Sequence, residues 1–167
     1  MKKVLIVYET LHGSAEKCAI MLKDQINLET EVVRLADNQN IDPSVYDLII
    51  VGGSIHMGVL HSRVRNFVQG NLDLLLSKPH GLYLCCMEQG ENARLQFENA
   101  YPEELRSSSI ANGLFGGEFN FRKMNIFERT FTRKVAKVNT TISRLDINAI
   151  NNFVEKIDKL LIKEVKA

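Results

Sequence analysis

Val4-Leu-Ile-Val-Tyr-Glu-Thr-Leu-His-Gly-Ser-Ala-Glu-Lys-Cys-Ala19 begins as an apolar, β-branched run, passes through a short polar turn and continues at helical spacing. That order predicts a strand over Val4–Tyr8, a tight turn permitted by Gly13, and a helix whose N-terminus faces the turn. The first turn of a helix has N–H groups with no carbonyl to bond. The positive end of the helix dipole lies beside them, so the junction is an anion cradle that needs no cation. Thr10 and Ser14 add hydroxyl donors. No Lys-Ser/Thr pair follows, as a triphosphate loop requires, and Gly13 is the turn's one glycine, where a dinucleotide turn has three. The cradle suits a single phosphate monoester.

Downstream, strand and helix patterns alternate. Ala15, Cys18, Ala19, Leu22 and Ile26 form the buried stripe of a first helix, and Glu31–Leu35 reads as a second strand. Asp37–Ser44 is a loop. Asp47–Gly53 is apolar without alternation, as in a strand covered on both faces. Val64, Phe67, Val68 and Leu72 mark a second helix, Gly81–Cys86 a fourth strand, Glu91–Glu104 a third helix and Ile110–Phe119 a fifth strand. Ile150, Val154, Ile157 and Leu161 share one face of a last helix. Five alternations predict a three-layer α/β sandwich with a five-stranded parallel sheet of order 2-1-3-4-5. Ligands of such sheets bind beyond the carboxyl ends of the strands. Here those ends are Glu9–Ser14, Gly52–Gly58 and Cys85–Glu91.

The 167 residues fit one domain, 1–167, with 45% hydrophobic and 25% charged residues. A net charge of +1 creates no field that favours nucleic acid, and no nucleic-acid partner is expected. No run approaches the roughly 20 apolar residues of a membrane span. Cys18, Cys85 and Cys86 fit neither a disulfide framework nor a metal spacing, which suggests a reducing cytoplasm and no metal. Cys85 and Cys86 are adjacent on a strand and point to opposite faces, so they do not pair with each other. One is expected in the core and the other toward the ligand. Ser62 is the expected N-cap of the second helix. No clustered aspartates follow the first or third strand, which excludes receiver-type phosphorylation chemistry.

Three segments, ETLHGSAEKCA, YDLIIVGGSIHMGVLHSRVRNFV and the basic stretch after GLFGGEF, resemble the flavodoxins. The resemblance is strongest to the flavodoxin-type protoporphyrinogen oxidases of bacteria, whose acceptor is a quinone, and it covers nearly the whole chain. It implies FMN as cofactor, with the phosphate held by Thr10, Leu11, His12, Gly13, Ser14 and Ala15. The ring would lie between Ser54, Ile55, His56, Met57 and Gly58 on one side and Cys86, Met87 and Glu88 on the other. No catalytic side chain is implied, because the flavin carries the chemistry.

The chain departs from the family pattern at Glu9 and Ala15, where hydroxyl residues are usual, and in having no Trp. Each lost hydrogen bond to a charged group costs about 1.5–3 kcal/mol, so weakened FMN affinity is expected. Met and Cys can pack on the ring with less area than an aromatic.

An insertion at about 120–140, after the fifth strand, carries Arg122, Lys123, Arg129, Arg133, Lys134 and Lys137 against one acid, Glu128. Phe127, Phe131, Val135 and Val138 share one helical face. The segment suits either a membrane interface or an extra helix with a solvated basic edge. It could also pair chains, so the oligomeric state stays open. Three functions follow: an FMN-dependent oxidoreductase acting on protoporphyrinogen IX with a quinone acceptor, a flavodoxin-type electron carrier, or a fold that has lost FMN and serves as an interaction domain. Carriers are typically acidic, which this chain is not.

Overall fold

The computed structural model describes residues 2–38, 40–119 and 142–165. Strand β1 (Lys3–Glu9) lies inside the sheet, and Val4, Leu5, Ile6 and Val7 are each fully buried because helices cover both faces. It is followed by α1 (Ser14–Gln25), β2 (Glu29–Arg34), a 3₁₀ turn (Pro43–Val45), β3 (Leu48–His56) and β4 (Val59–Leu60). Next come α2 (Ser62–Gly70), α3 (Leu72–Ser77), β5 (His80–Cys85), α4 (Gly90–Ala100), α5 (Glu103–Ser108) and β6 (Ala111–Leu114). Short strands β7 (Glu118–Phe119) and β8 (Ile142–Ser143) precede α6 (Ile147–Val165).

The parallel strands stand in the order β2-β1-β3-β5-β6. With the short β4 set aside, this is the expected 2-1-3-4-5 order. Strand alternation sends Val4, Ile6 and Tyr8 to one face, against Ala15, Cys18 and Leu22 of α1 and Phe153 and Ile157 of α6. Leu5 and Val7 face the opposite layer, which holds Val64 and Val68 of α2, Leu75 of α3, Phe97 of α4 and Leu105 of α5.

Several boundaries differ from expectation, each for a local reason. The second helix divides into α2 and α3 at Asn71, whose side-chain amide and backbone N–H both bond Phe67 O. The helix expected over Glu91–Glu104 breaks at Tyr101–Pro102, because the residue before a proline is pushed toward extended backbone. Strand Ile110–Phe119 is interrupted at Gly116, whose φ is 71° and where Arg144 O leaves no room for a Cβ. The last two residues of that run form β7, which pairs antiparallel with β8. The predicted strand at Glu31–Leu35 is β2, two residues earlier at its start. The basic stretch with Arg122, Lys123, Arg129, Arg133, Lys134 and Lys137 lies outside the described residues.

Candidate functional site

Glu9 is the register partner of Gly53, and Ser54 that of Cys85, so the ends of β1, β3 and β5 lie side by side. The loops leaving them are the three that the sequence singles out. Ser54 Oγ lies 3.5 Å from Thr10 Oγ1, and the rings of His12 and His56 meet edge to face at 5.9 Å between centroids.

Gly13 caps α1 with φ 98°, a conformation that favours glycine. Thr10 Oγ1 accepts the Gly13 N–H at 3.0 Å, which folds the loop back on itself. The Thr10 N–H is also used, donating to Glu9 Oε1 at 3.1 Å. Among the described residues, the N–H groups of Leu11, Ser14 and Ala15 have no acceptor. Three amides at a helix N-terminus are a fit cradle for a phosphate ester. The loop is pinned from below: the Tyr83 hydroxyl donates to Ala15 O at 2.8 Å. Tyr83 itself occupies the space over Gly52, where a Cβ would stand 1.8 Å from its ring.

Glu9 is oriented differently from what its place in the loop suggests. Alternation along β1 sends its side chain to the face of Leu5 and Val7, away from α1. There Arg34 Nε donates to Oε1 at 2.9 Å, and Arg34 Nη2 bonds Thr10 O at 3.3 Å. The Glu9 bond raises the pKa of the guanidinium above its ordinary range. The acid is thus neutralised locally, although its second oxygen is buried without a partner. Ala15 is fully buried in the α1 layer.

The loop between β3 and β4 is a hairpin that the sequence reading missed. His56 pairs with Val59 across Met57 and Gly58, whose φ values of 49° and 81° are those of a two-residue hairpin turn. Met57 at its tip is 73% exposed, whereas Ser54, Ile55 and His56 are half-buried. The hairpin leads into α2, and His61 rather than Ser62 is the N-cap: its Nδ1 accepts the Arg63 N–H at 3.3 Å. Burial first, then the nearby Arg63, Arg34 and His56, lower the His61 pKa, against an upward pull from Glu9.

On the third loop, the Cys86 N–H bonds Gly116 O at 3.0 Å and Cys86 Sγ donates to Glu88 O at 3.8 Å. Burial raises the Cys86 thiol pKa. Cys86 is 5% exposed, Met87 half-buried and Glu88 exposed. Cys85 turns the other way into the α1 layer, where its Sγ donates to Cys18 Sγ at 3.6 Å. That bond, together with burial, raises the Cys85 pKa strongly and keeps it a thiol.

Contacts unseen in the sequence join the site to β7. Glu118 N–H donates to Ser14 Oγ at 3.2 Å, Lys17 Nζ lies 2.9 Å from Glu118 Oε2, and Gly117 packs on Cys86 and Met87. A separation of 104 residues hides such a contact from any local pattern. Among the described residues, no group of histidines, cysteines and acids could hold a metal ion.

Residues 5–146 match the family model of the flavodoxin domain. The chain belongs to the flavodoxin family. FMN is the cofactor of that family, and the acceptor-free amides of the cradle fit its phosphate. No curated protein sequence matches the chain significantly. Among solved structures it is similar to the rubredoxin oxygen:oxidoreductase of Desulfovibrio gigas, with a TM-score of 0.63 and 16% identity. That match covers 100% of this chain and 38% of that protein, so the chain spans well under half of it. A short-chain flavodoxin associated with a PDU bacterial microcompartment gives 0.58 at 17% identity, covering 96% of this chain and 99% of its own. Megasphaera elsdenii flavodoxin gives 0.50 at 21%, covering 66% and 84%. These likenesses show the fold. Among the described residues, no helix is long and apolar enough to cross a membrane.

Proposed function

We propose that this member of the flavodoxin family, as a single domain, binds FMN at the joined ends of β1, β3 and β5 and serves as a redox protein. The observation that carries the reading is the set of acceptor-free amides of Leu11, Ser14 and Ala15 at the start of α1. Thr10, His12 and Gly13 complete the phosphate loop. Ser54–Gly58 and Cys86–Glu88 flank the ring, with backbone groups of the hairpin as its polar partners. Bound FMN supplies one- and two-electron transfer. The chain's own residues hold the phosphate, orient the ring and limit water at its inner edge.

The finer assignment within this reading is oxidation of protoporphyrinogen IX with a quinone as acceptor. It is supported by the sequence resemblance, by the net charge of +1 and by the basic stretch with Arg122, Lys123, Arg129, Arg133, Lys134 and Lys137, which would meet an anionic membrane surface. A flavodoxin-type carrier is the second reading, favoured by the 99% coverage of a short-chain flavodoxin.

The isolated protein should show flavin absorbance, or gain it on adding FMN; a protein that stays colourless overturns the cofactor. Porphyrin fluorescence appearing from protoporphyrinogen IX with a menaquinone analogue supports the oxidase. Electron transfer to ferredoxin-dependent enzymes with none to quinones supports the carrier.

A further inference from the structure

Lys17 is the one cation in the first two turns of α1, and its side chain leans back toward the helix N-terminus, as helical side chains do. Its ammonium sits 2.9 Å from Glu118 Oε2, although Lys17 is 57% exposed and free to take other rotamers. Glu118 by contrast is 11% exposed. The backbone holds it there independently of the ion pair. Gly116 O accepts the Cys86 N–H at 3.0 Å, Gly117 O accepts the Arg144 N–H at 2.8 Å, and Gly117 packs against Cys86 and Met87. A fixed carboxylate therefore occupies the one cation carried by the first two turns of the helix that bears the cradle. Ser14 is in a related position. Its Oγ accepts the Glu118 N–H at 3.2 Å, while its own proton meets Glu118 O only at 3.5 Å, the outer limit of a hydrogen bond.

We propose that Glu118 is a built-in anionic competitor of the ligand phosphate at α1. When a phosphate ester enters the cradle, Lys17 Nζ leaves the Glu118 carboxylate for a phosphate oxygen, because charge-assisted bonds to the more highly charged anion are stronger. Ser14 keeps accepting the Glu118 N–H and turns its proton onto the ester, so the Glu118 backbone orients that hydroxyl. Ser14 and Lys17 thus act as phosphate contacts held in reserve, and the Glu118 side chain sets how tightly the phosphate binds. The inference rests on reading the cradle as an FMN phosphate site.

The test compares Glu118→Gln, Lys17→Met and the double variant by fluorescence titration with FMN and with riboflavin, which has the ring and no phosphate. Surface ion pairs are worth little, so Glu118→Gln should tighten FMN about three- to fivefold at low salt. Lys17→Met should weaken FMN by about the same factor, and Glu118→Gln should bring no gain in the Lys17→Met background. Riboflavin affinity should be unchanged throughout. FMN affinities of wild type and Glu118→Gln that agree within about twofold, or a gain shared equally by riboflavin, overturn the inference.

Inorganic phosphate, followed through the NMR shifts of the Ser14 and Lys17 amides, gives a readout that needs no flavin. Half-saturation at lower phosphate in Glu118→Gln supports the competitor even if FMN binds to neither protein, in which case only the flavin reading fails. Equal half-saturation, or no shift in either protein, overturns it.

Discussion

Thr10–Ala15 and Ser54–Gly58 leave adjacent strands at the same edge of the sheet, but they are built differently. Thr10, Ser14 and Ala15 are buried, the loop closes on itself through Thr10 Oγ1, and Tyr83 pins it from the core. The hairpin carries its exposure at the tip, with Met57 73% and Val59 49% exposed, and holds its shape through two left-handed residues. The first side presents main-chain amides that cannot be rearranged without moving the core. The second presents side chains and a turn that can adjust. On the proposed reading the phosphate would meet the preorganised side, and the ring the side where specificity and potential can vary.

This contrast can be broken most severely from beneath. Gly52→Ala would drive a Cβ into the ring of Tyr83, which its bond to Ala15 O holds in place. A loss of about 3 kcal/mol is expected, read as a lower urea midpoint with unchanged slope. A stability within about 0.5 kcal/mol of wild type would show that Tyr83 is free to move and that the loop is not pinned.

Gly13→Ala forces a side chain into φ 98° and should cost about 1–2 kcal/mol together with a clear loss of FMN affinity. Equal FMN affinity would mean that the turn's shape does not matter to the ligand.

Tyr83→Phe removes the hydroxyl that donates to Ala15 O and should cost about 1 kcal/mol, with faster amide exchange at the start of α1. The hairpin amides should exchange as before.

The smallest effect lies at the hairpin side. His61 titrates below its ordinary 6.5 in the fold, so the unfolded chain takes the proton first as pH falls. The stability it contributes is complete above about pH 6.5 and is lost as pH drops through the folded value. Protonation also removes the Nδ1 acceptor that caps α2. His61→Asn, which caps without titrating there, should flatten the acid limb by about 0.5–1 kcal/mol; an unchanged limb would reject the cap as its origin.

The layered fold was legible because β-branched runs such as Val4–Val7 and Leu48–Val51 are buried on both faces, which composition reports directly. The anion cradle was legible for a related reason: a strand, a glycine and a helix start are consecutive in the chain. Pairings made across distance were not. Strands β7 and β8 are joined by 22 intervening residues, and Glu118 meets Ser14 and Lys17 only after folding; β4 follows β3 at once and is hidden instead by being two residues long. Glu9 was misleading in another way. Its place in the loop counted it among the departures expected to weaken FMN binding, but strand alternation turned its side chain to the opposite face and gave it Arg34.

Met57 bears on how the protein ages. A thioether at the apex of a two-residue turn is the methionine, among the described residues, that dissolved peroxide reaches most readily. Its sulfoxide would bury no new polar group and break no core contact, so the polypeptide would stay folded. If Met57 flanks the ring as proposed, a stored preparation would bind FMN less tightly while the melting curve of the flavin-free protein remained the same, and a methionine sulfoxide reductase would restore the affinity.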